Sequence, residues 1–197
     1  MSPGVTAGHR RLIAQRRDHL RRELLEIIPS SGRFVWEVGS GHGHFLSAYA
    51  ATHPGELCIG VDISSDRVAR AKRKQSRARL GNLHFFLADA DDFLAAMPVG
   101  AHFGDVYLLF PDPWPKRRHH KNRVLKPGFL AAVAARTTKG AALYFRTDHE
   151  DYFREAVALV RAHSDWSESA DAGLPFEEPT VFQKRAERHF TLVAKRA

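Results

Sequence analysis

Apolar positions in this chain come in short continuous blocks, each ended by an acid or a glycine turn. Phe34, Val35, Trp36 and Val38 form the first block, bounded by Gly32 and Gly39, the pattern of a strand buried on both faces. Comparable runs recur at Leu57–Ile63, Leu83–Asp89, Val106–Phe110 and Ala142–Asp148. Between them the period changes. Leu20, Leu24 and Ile27 repeat at helical spacing within His9–Ile28, and helices are predicted over Phe45–Ala51, over the Arg67–Arg79 tract and over Glu150–Ala162. Phe190–Ala194 reads as part of a closing antiparallel pair. Strands alternating with helices predict an α/β fold with a doubly wound, mostly parallel sheet.

The first strand runs into Glu37-Val38-Gly39-Ser40-Gly41-His42-Gly43. Glycines at alternate positions allow a tight turn and let backbone approach a ligand just before a helix begins near His44. A dinucleotide fingerprint needs its third glycine one place later, where this chain has His44. The turn therefore points to a different nucleotide-like ligand. Asp62 ends the second strand about twenty residues further on, where a carboxylate accepts hydrogen bonds from ribose hydroxyls; the competing reading is a helix cap beside Ser64 and Ser65. Asp89 ends the third strand, placed either to hold an adenine amino group or to cap a turn with Asp91 and Asp92.

Pro111–Lys126, PDPWPKRRHHKNRVLK, follows the fourth strand. Ligands in open α/β sheets bind beyond the carboxyl ends of strands, so this loop belongs at the pocket. Its three prolines hold Asp112 and Trp114 in a set orientation. Lys116, Arg117, Arg118, Lys121, Arg123 and Lys126 then accumulate beside His119 and His120. A carboxylate and an aromatic followed by cations is what modification of a nucleic-acid base requires: a grip on the base edge, a stacking surface and phosphate contacts; the competing reading is a rigid surface loop with solvated charges.

Charge reinforces that direction. Thirty Lys and Arg oppose twenty-two Asp and Glu for a net +8, a bias toward polyanionic partners. The amino-terminal helix carries Arg10, Arg11, Arg16, Arg17, Arg21 and Arg22, either as a solvated face or as a phosphate-contacting arm. At 197 residues the chain fits one α/β domain, here read as a basic arm over 1–33 and a catalytic domain over 34–197. No apolar run reaches about eighteen residues, so a soluble, cytoplasmic protein without membrane contact is expected. Cys58 is the single cysteine, which excludes an intrachain disulfide. His42 with His44, and His119 with His120, are too close to form a tetrahedral set by themselves, and no metal is expected. Oligomeric state is not encoded in any visible pattern; a monomer or weak homodimer is expected.

The E-x-G-x-G-x-G turn resembles the first motif of class I S-adenosylmethionine-dependent methyltransferases. The strand ending in PDPWPK-x-RH-x-K, together with GVDI, LADA, RTDHEDY and Thr180-Val181-Phe182-Gln183, is similar to the bacterial tRNA (guanine-N7-)-methyltransferase family from about Phe34 onward. That resemblance implies a seven-stranded, Rossmann-like sheet with one antiparallel strand. It also implies methyl transfer from S-adenosyl-L-methionine to N7 of guanosine 46 in the tRNA variable loop. Cofactor contacts are implied at Glu37, Gly39, Gly41, Gly43, Asp62, Asp89 and Asp112, with Asp112 also at the catalytic centre. Contacts with tRNA or guanine are implied at Lys116, Arg118, Lys121, Arg123, Asp148, Thr180 and Gln183. The chain departs from the family at Gln183, where an acid is usual and an amide offers one acceptor and one misplaced donor. It departs again at Asn122, which removes a cation from the basic tract.

Two other readings compete. Asp112-Pro113-Trp114 is similar to the loop of amino-group methyltransferases, which would move the reaction to another base or RNA, although the second proline of that loop is missing. A non-catalytic RNA-binding protein on the same fold is the third reading, and intact Glu37, Gly39, Gly41, Gly43, Asp62 and Asp112 argue against it.

Overall fold

The computed structural model describes residues 7–169, 173–178 and 188–197. Its strands are β1 (Arg33–Val38), β2 (Leu57–Asp62), β3 (Leu83–Leu87), β4 (His102–Leu109), β5 (Ala142–Thr147), β6 (Trp166–Glu168) and β7 (Phe190–Arg196). Its helices are α1 (Ala7–Ile27), α2 (His44–Thr52), α3 (Ser65–Ala78), α4 (Ala90–Ala96), α5 (Pro127–Ala134) and α6 (Glu150–Arg161), with a 3-10 turn over Arg117–Asn122. The seven strands form one sheet in the order β3-β2-β1-β4-β5-β7-β6. Strands β1 to β5 pair in parallel, and β7 alone runs the other way, antiparallel to both β5 and β6. This is the predicted doubly wound architecture.

β1 sits mid-sheet, with every residue from Phe34 to Val38 buried. Its alternation assigns the two faces. Phe34, Trp36 and Val38 face the layer built from α1, α4, α5 and α6, where Trp36 stacks between Phe93 and Phe103 at 4.9 and 4.8 Å. Val35 faces the other layer, with Phe45 and Tyr49 of α2 and Val68 and Ala71 of α3. Glu37 belongs to this second face by period, which places a carboxyl under α2. Leu20, Leu24 and Ile28 join the first layer, so the carboxyl half of the basic amino-terminal segment packs into the same core as the sheet.

Sequence periodicity did not announce α4, α5 or β6. α4 is seven residues long and opens with two acids. α5, PGFLAAVA, is apolar on most sides and shows no amphipathic period. The strand order reverses about β1, whose neighbours β2 and β4 leave toward opposite edges. Their registers, Val38 opposite Val61 and Leu108, align three carboxyl ends at one place. That switch point is where open α/β sheets bind ligands.

Candidate active site

A cavity of about 520 Å³ opens at the switch point, a volume suited to a nucleoside-sized ligand. Its walls include Glu37, Gly39, Gly41, Asp62, Asp89 and Asp112. Six of the seven positions expected to contact cofactor thus meet in one space. Gly43 does not line it.

The glycine turn explains the division. Gly39, Gly41 and Gly43 all have positive φ, at 71°, 55° and 65°. Gly39 and Gly41 have nothing within 4 Å of the place a Cβ would occupy, whereas a Cβ on Gly43 would lie 2.5 Å from the Phe85 ring. Gly43 therefore caps α2 and packs against β3 instead of facing a ligand. Gly41→Ala is expected to fold with a loss of about 1 kcal/mol for left-handed backbone and a much larger loss of cofactor affinity. Gly43→Ala is expected to cost more than 2 kcal/mol through overpacking as well as backbone strain. Urea denaturation alongside cofactor titration checks both, and equal stability in the two variants would contradict the division.

Asp62 is buried and already occupied on both oxygens. Oδ2 accepts from Gly41 N–H at 2.9 Å and Oδ1 from Ser64 N–H at 2.8 Å, while Arg67 stands 3.7 Å from Oδ2. Its first role in the free protein is to brace the glycine turn against the start of α3, with Ser64 supplying the side-chain cap. Lone pairs remain on each oxygen for further donors. Asp89 caps α4, accepting from Asp92 N–H at 2.7 Å, and stays exposed at the cavity wall.

Glu37 is only 4% exposed, and its Oε2 has no hydrogen-bond partner among the described residues. Burial pushes its carboxyl up to about 8; nearby Asp62 adds to the rise, while the Leu46 N–H and the Lys74 charge oppose it. The Ser40 hydroxyl is likewise buried and has no partner among the described residues. Buried orphans of this kind call for a partner.

β4 delivers Phe110 and the proline loop. Phe110 and Trp114 both occupy left-handed backbone, at φ 51° and 45°, unusual for bulky residues and concentrated here around Asp112. Asp112 is exposed toward the cavity, and Trp114 meets His119 edge-on at 5.9 Å. Lys116 at the start of the adjoining 3-10 segment, and Arg118 and Lys121 within it, are exposed. Phe110 N–H donates to Arg146 C=O at 2.7 Å, so the ends of β4 and β5 run side by side and carry exposed Asp112 and Asp148 just beyond that pairing.

Arg123 departs from the expectation of a residue lying along RNA. It is 1% exposed, donates from Nε to Pro113 C=O at 2.9 Å, pairs with Glu155 and lies 4.5 Å over the Tyr152 ring. Both partners come from α6, which supplies the compensating charge and the aromatic face that let the cation be buried. Arg123 thus pins the proline loop from beneath and cannot reach a phosphate. A charge run in sequence gave no sign of this.

The sequence also passed over Arg146. Buried in β5, it donates to both carboxylate oxygens of Glu177 at 2.8 and 2.6 Å and to the Thr191 hydroxyl at 2.9 Å. Exposed Ile63 at the cavity wall was also missed, although an apolar residue directly after Asp62 was a usable signal. Thr180 and Gln183 lie outside the described residues. Among the described residues no group of three or more His, Cys, Asp and Glu is arranged to hold a metal ion.

Residues 31–192 match a protein family described as "Putative methyltransferase". The tRNA (guanine-N(7)-)-methyltransferase of Alkalilimnicola ehrlichii is 35% identical over 163 residues, covering 82% of this chain and 65% of that protein. That of Bordetella pertussis is 30% identical over 212 residues, covering 95% of this chain and 83% of that protein. The chain belongs to the tRNA (guanine-N(7)-)-methyltransferase family. It spans about two thirds of the length of the A. ehrlichii relative. The precorrin-6y C5,15-methyltransferase of Geobacter metallireducens superposes with a TM-score of 0.59 at 12% identity, covering 92% of this chain and 89% of that one, and so shares the fold.

The cavity of this family member fits S-adenosylmethionine. Two bare glycines present backbone to the cavity, an acid with an unpaired buried oxygen stands at the end of β1, and a second acid ends β2. A nucleoside bearing a cationic amino-acid tail matches that donor set.

Proposed function

We propose that this chain transfers a methyl group from S-adenosyl-L-methionine to N7 of guanosine 46 in the variable loop of tRNA. The observation that carries the proposal is the convergence of Glu37, Asp62 and Asp112 on one cavity whose rim continues into exposed Lys116, Arg118 and Lys121. When bound, the cofactor supplies an electrophilic methyl group. Guanine N7 has a lone pair and no proton, so the protein must position the base and has no proton to remove from it.

The residues divide the work accordingly. Glu37 takes the ammonium of the methionine portion, Asp62 the ribose hydroxyls and Asp89 the adenine amino group, while Gly39 and Gly41 allow backbone to approach. Asp112 stands between cofactor and base and holds the guanine in line for transfer. Asp148, with Thr180 and Gln183, reads the guanine edge. Lys116, Arg118 and Lys121 hold phosphates, and Arg123 keeps the loop beneath them in place. No described helix is long and apolar enough to cross a membrane.

Unmodified tRNA transcript incubated with methyl-labelled cofactor, followed by nucleoside analysis, tests the proposal. A labelled 7-methylguanosine at position 46 is the expected product; label in another nucleoside would move the reaction to a different base.

The raised Glu37 carboxyl gives a second test. At pH 7 the free protein holds a proton on Glu37, because folding has lifted the group from 4.5 to about 8. The free fold therefore loses stability as pH rises from about 4.5 through 8, since the unfolded carboxyl ionises first. An incoming ammonium favours the carboxylate and expels the proton. Calorimetry in buffers of different ionisation enthalpy should show between about half and one proton released at pH 7, falling away above pH 8. Glu37→Gln should release none; unchanged release in that variant would assign the proton elsewhere.

A further inference from the structure

We infer that the exposed face of α3 is a docking surface for the phosphate backbone of the RNA substrate, distinct from the basic loop after β4. The inference rests on the tRNA reading above and names where a second part of that RNA lies. Arg70, Arg73, Lys74 and Arg77 line one open depression. Their spacing of three, four and seven residues puts all four on one side of the helix. Arg70 spends part of its charge on Asp66 at 3.0 Å. Among the described residues the side chains of Arg73 and Arg77 form no ion pair or hydrogen bond, and both residues are exposed. Asp66 beside Arg70 and Glu178 acting on Lys74 compensate the cluster only in part, and an anion laid across Arg73 and Arg77 relieves the repulsion that remains.

Position ties the cluster to the reaction. Lys74 Nζ lies 2.8 Å from His44 Nδ1, and His44 lines the cofactor cavity. The segment over residues 173–178 packs on the same face of the sheet, with the Phe176 ring 5.7 Å from Phe45 and 5.4 Å from Tyr49, and Glu178 acts electrostatically on Lys74. Thr180 and Gln183 follow this segment in the sequence. The α3 cations therefore flank both the cavity rim and the 173–178 segment. The basic face of α1 differs. Arg17 is paired with Asp92 at 2.5 Å, Arg21 donates to Ala95 C=O at 2.6 Å, and the depression there includes Asp18. Those cations hold α1 to α4.

The test is binding of unmodified tRNA transcript across a salt series by the full chain, its Arg73→Gln/Arg77→Gln variant, and a charge-matched Arg17→Gln/Arg21→Gln variant of α1, whose two arginines are engaged with α4. Loss of two phosphate contacts should weaken binding about 10- to 50-fold near 0.1 M salt and lower the slope of log K against log salt by roughly 1.5. The α1 variant should stay within about twofold. Thermal midpoint and S-adenosylmethionine affinity of the α3 variant should match the parent, since neither glutamine disturbs a described contact. Parental binding and slope in the α3 variant would overturn the inference while leaving the tRNA reading intact. Equal losses in both variants would also overturn it, by showing that only net charge matters. A parent chain that binds no tRNA would overturn the underlying reading as well.

Discussion

Asp112→Ala is expected to lower the single-turnover rate of tRNA guanosine methylation at saturating cofactor by at least about a hundredfold, with tRNA affinity little changed. The size follows from the role. A reaction that needs no proton removal gains its rate from alignment, and a misplacement of about 1 Å costs on the order of a hundredfold. Asp112 is suited to impose alignment because the chain on each side of it is immobilised. Pro111 and Pro113 flank it, and Phe110 and Trp114 hold left-handed backbone that costs roughly 1–3 kcal/mol each. Strain persists where surrounding contacts over-determine it, and here they include the Phe110 to Arg146 backbone bond and the Arg123 hydrogen bond to Pro113. Rapid-quench measurement with labelled cofactor reads the rate directly. A loss below about fivefold would remove Asp112 from the reacting centre.

Glu155→Ala should destabilise the fold by about 3 kcal/mol and lower the melting midpoint by about 6–12 °C. Glu155 is 39% exposed and looks dispensable. Its partner decides otherwise: Arg123 is 1% exposed, so deleting the acid leaves a buried cation without compensation. The guanidinium is already incompletely satisfied, its Nη2 having no hydrogen-bond partner among the described residues. Arg123→Met should cost less, because the abandoned carboxylate can turn to water and the methionine fills much of the space over Tyr152. Paired melts of the two variants test the ranking. If the methionine variant proves the weaker fold, packing of Arg123 matters more than its charge.

Reading of the sequence went furthest where function is local along the chain. Glu37, the glycine turn and Asp62 lie within one β-α-β unit, so spacing alone related them to one ligand. The proline loop declared itself for the same reason, with its rigidity and its carboxylate adjacent in sequence. Residues that act through distant partners left no such trace. Arg123 looked like its cationic neighbours, and only α6 folding back beneath the loop separated it from them. Gly43 looked like Gly39 and Gly41, and only the Phe85 ring on β3 made it a packing residue. Arg146 sat in an apolar strand as an unexplained charge until Glu177, 31 residues further along the chain, met it.

By itself the sequence determined the alternation of buried strands and helices, hence the doubly wound sheet, and the acid-glycine turn at the end of β1. Both follow from periodicity and backbone freedom, which are properties of neighbouring residues. Tertiary structure decided which charges stay in water and which are buried against a partner. It also decided which glycines face a cavity, and that α3 and the 173–178 segment share one face beside it. Those outcomes depend on desolvation and on contacts between residues far apart in the chain, and no local pattern encodes them.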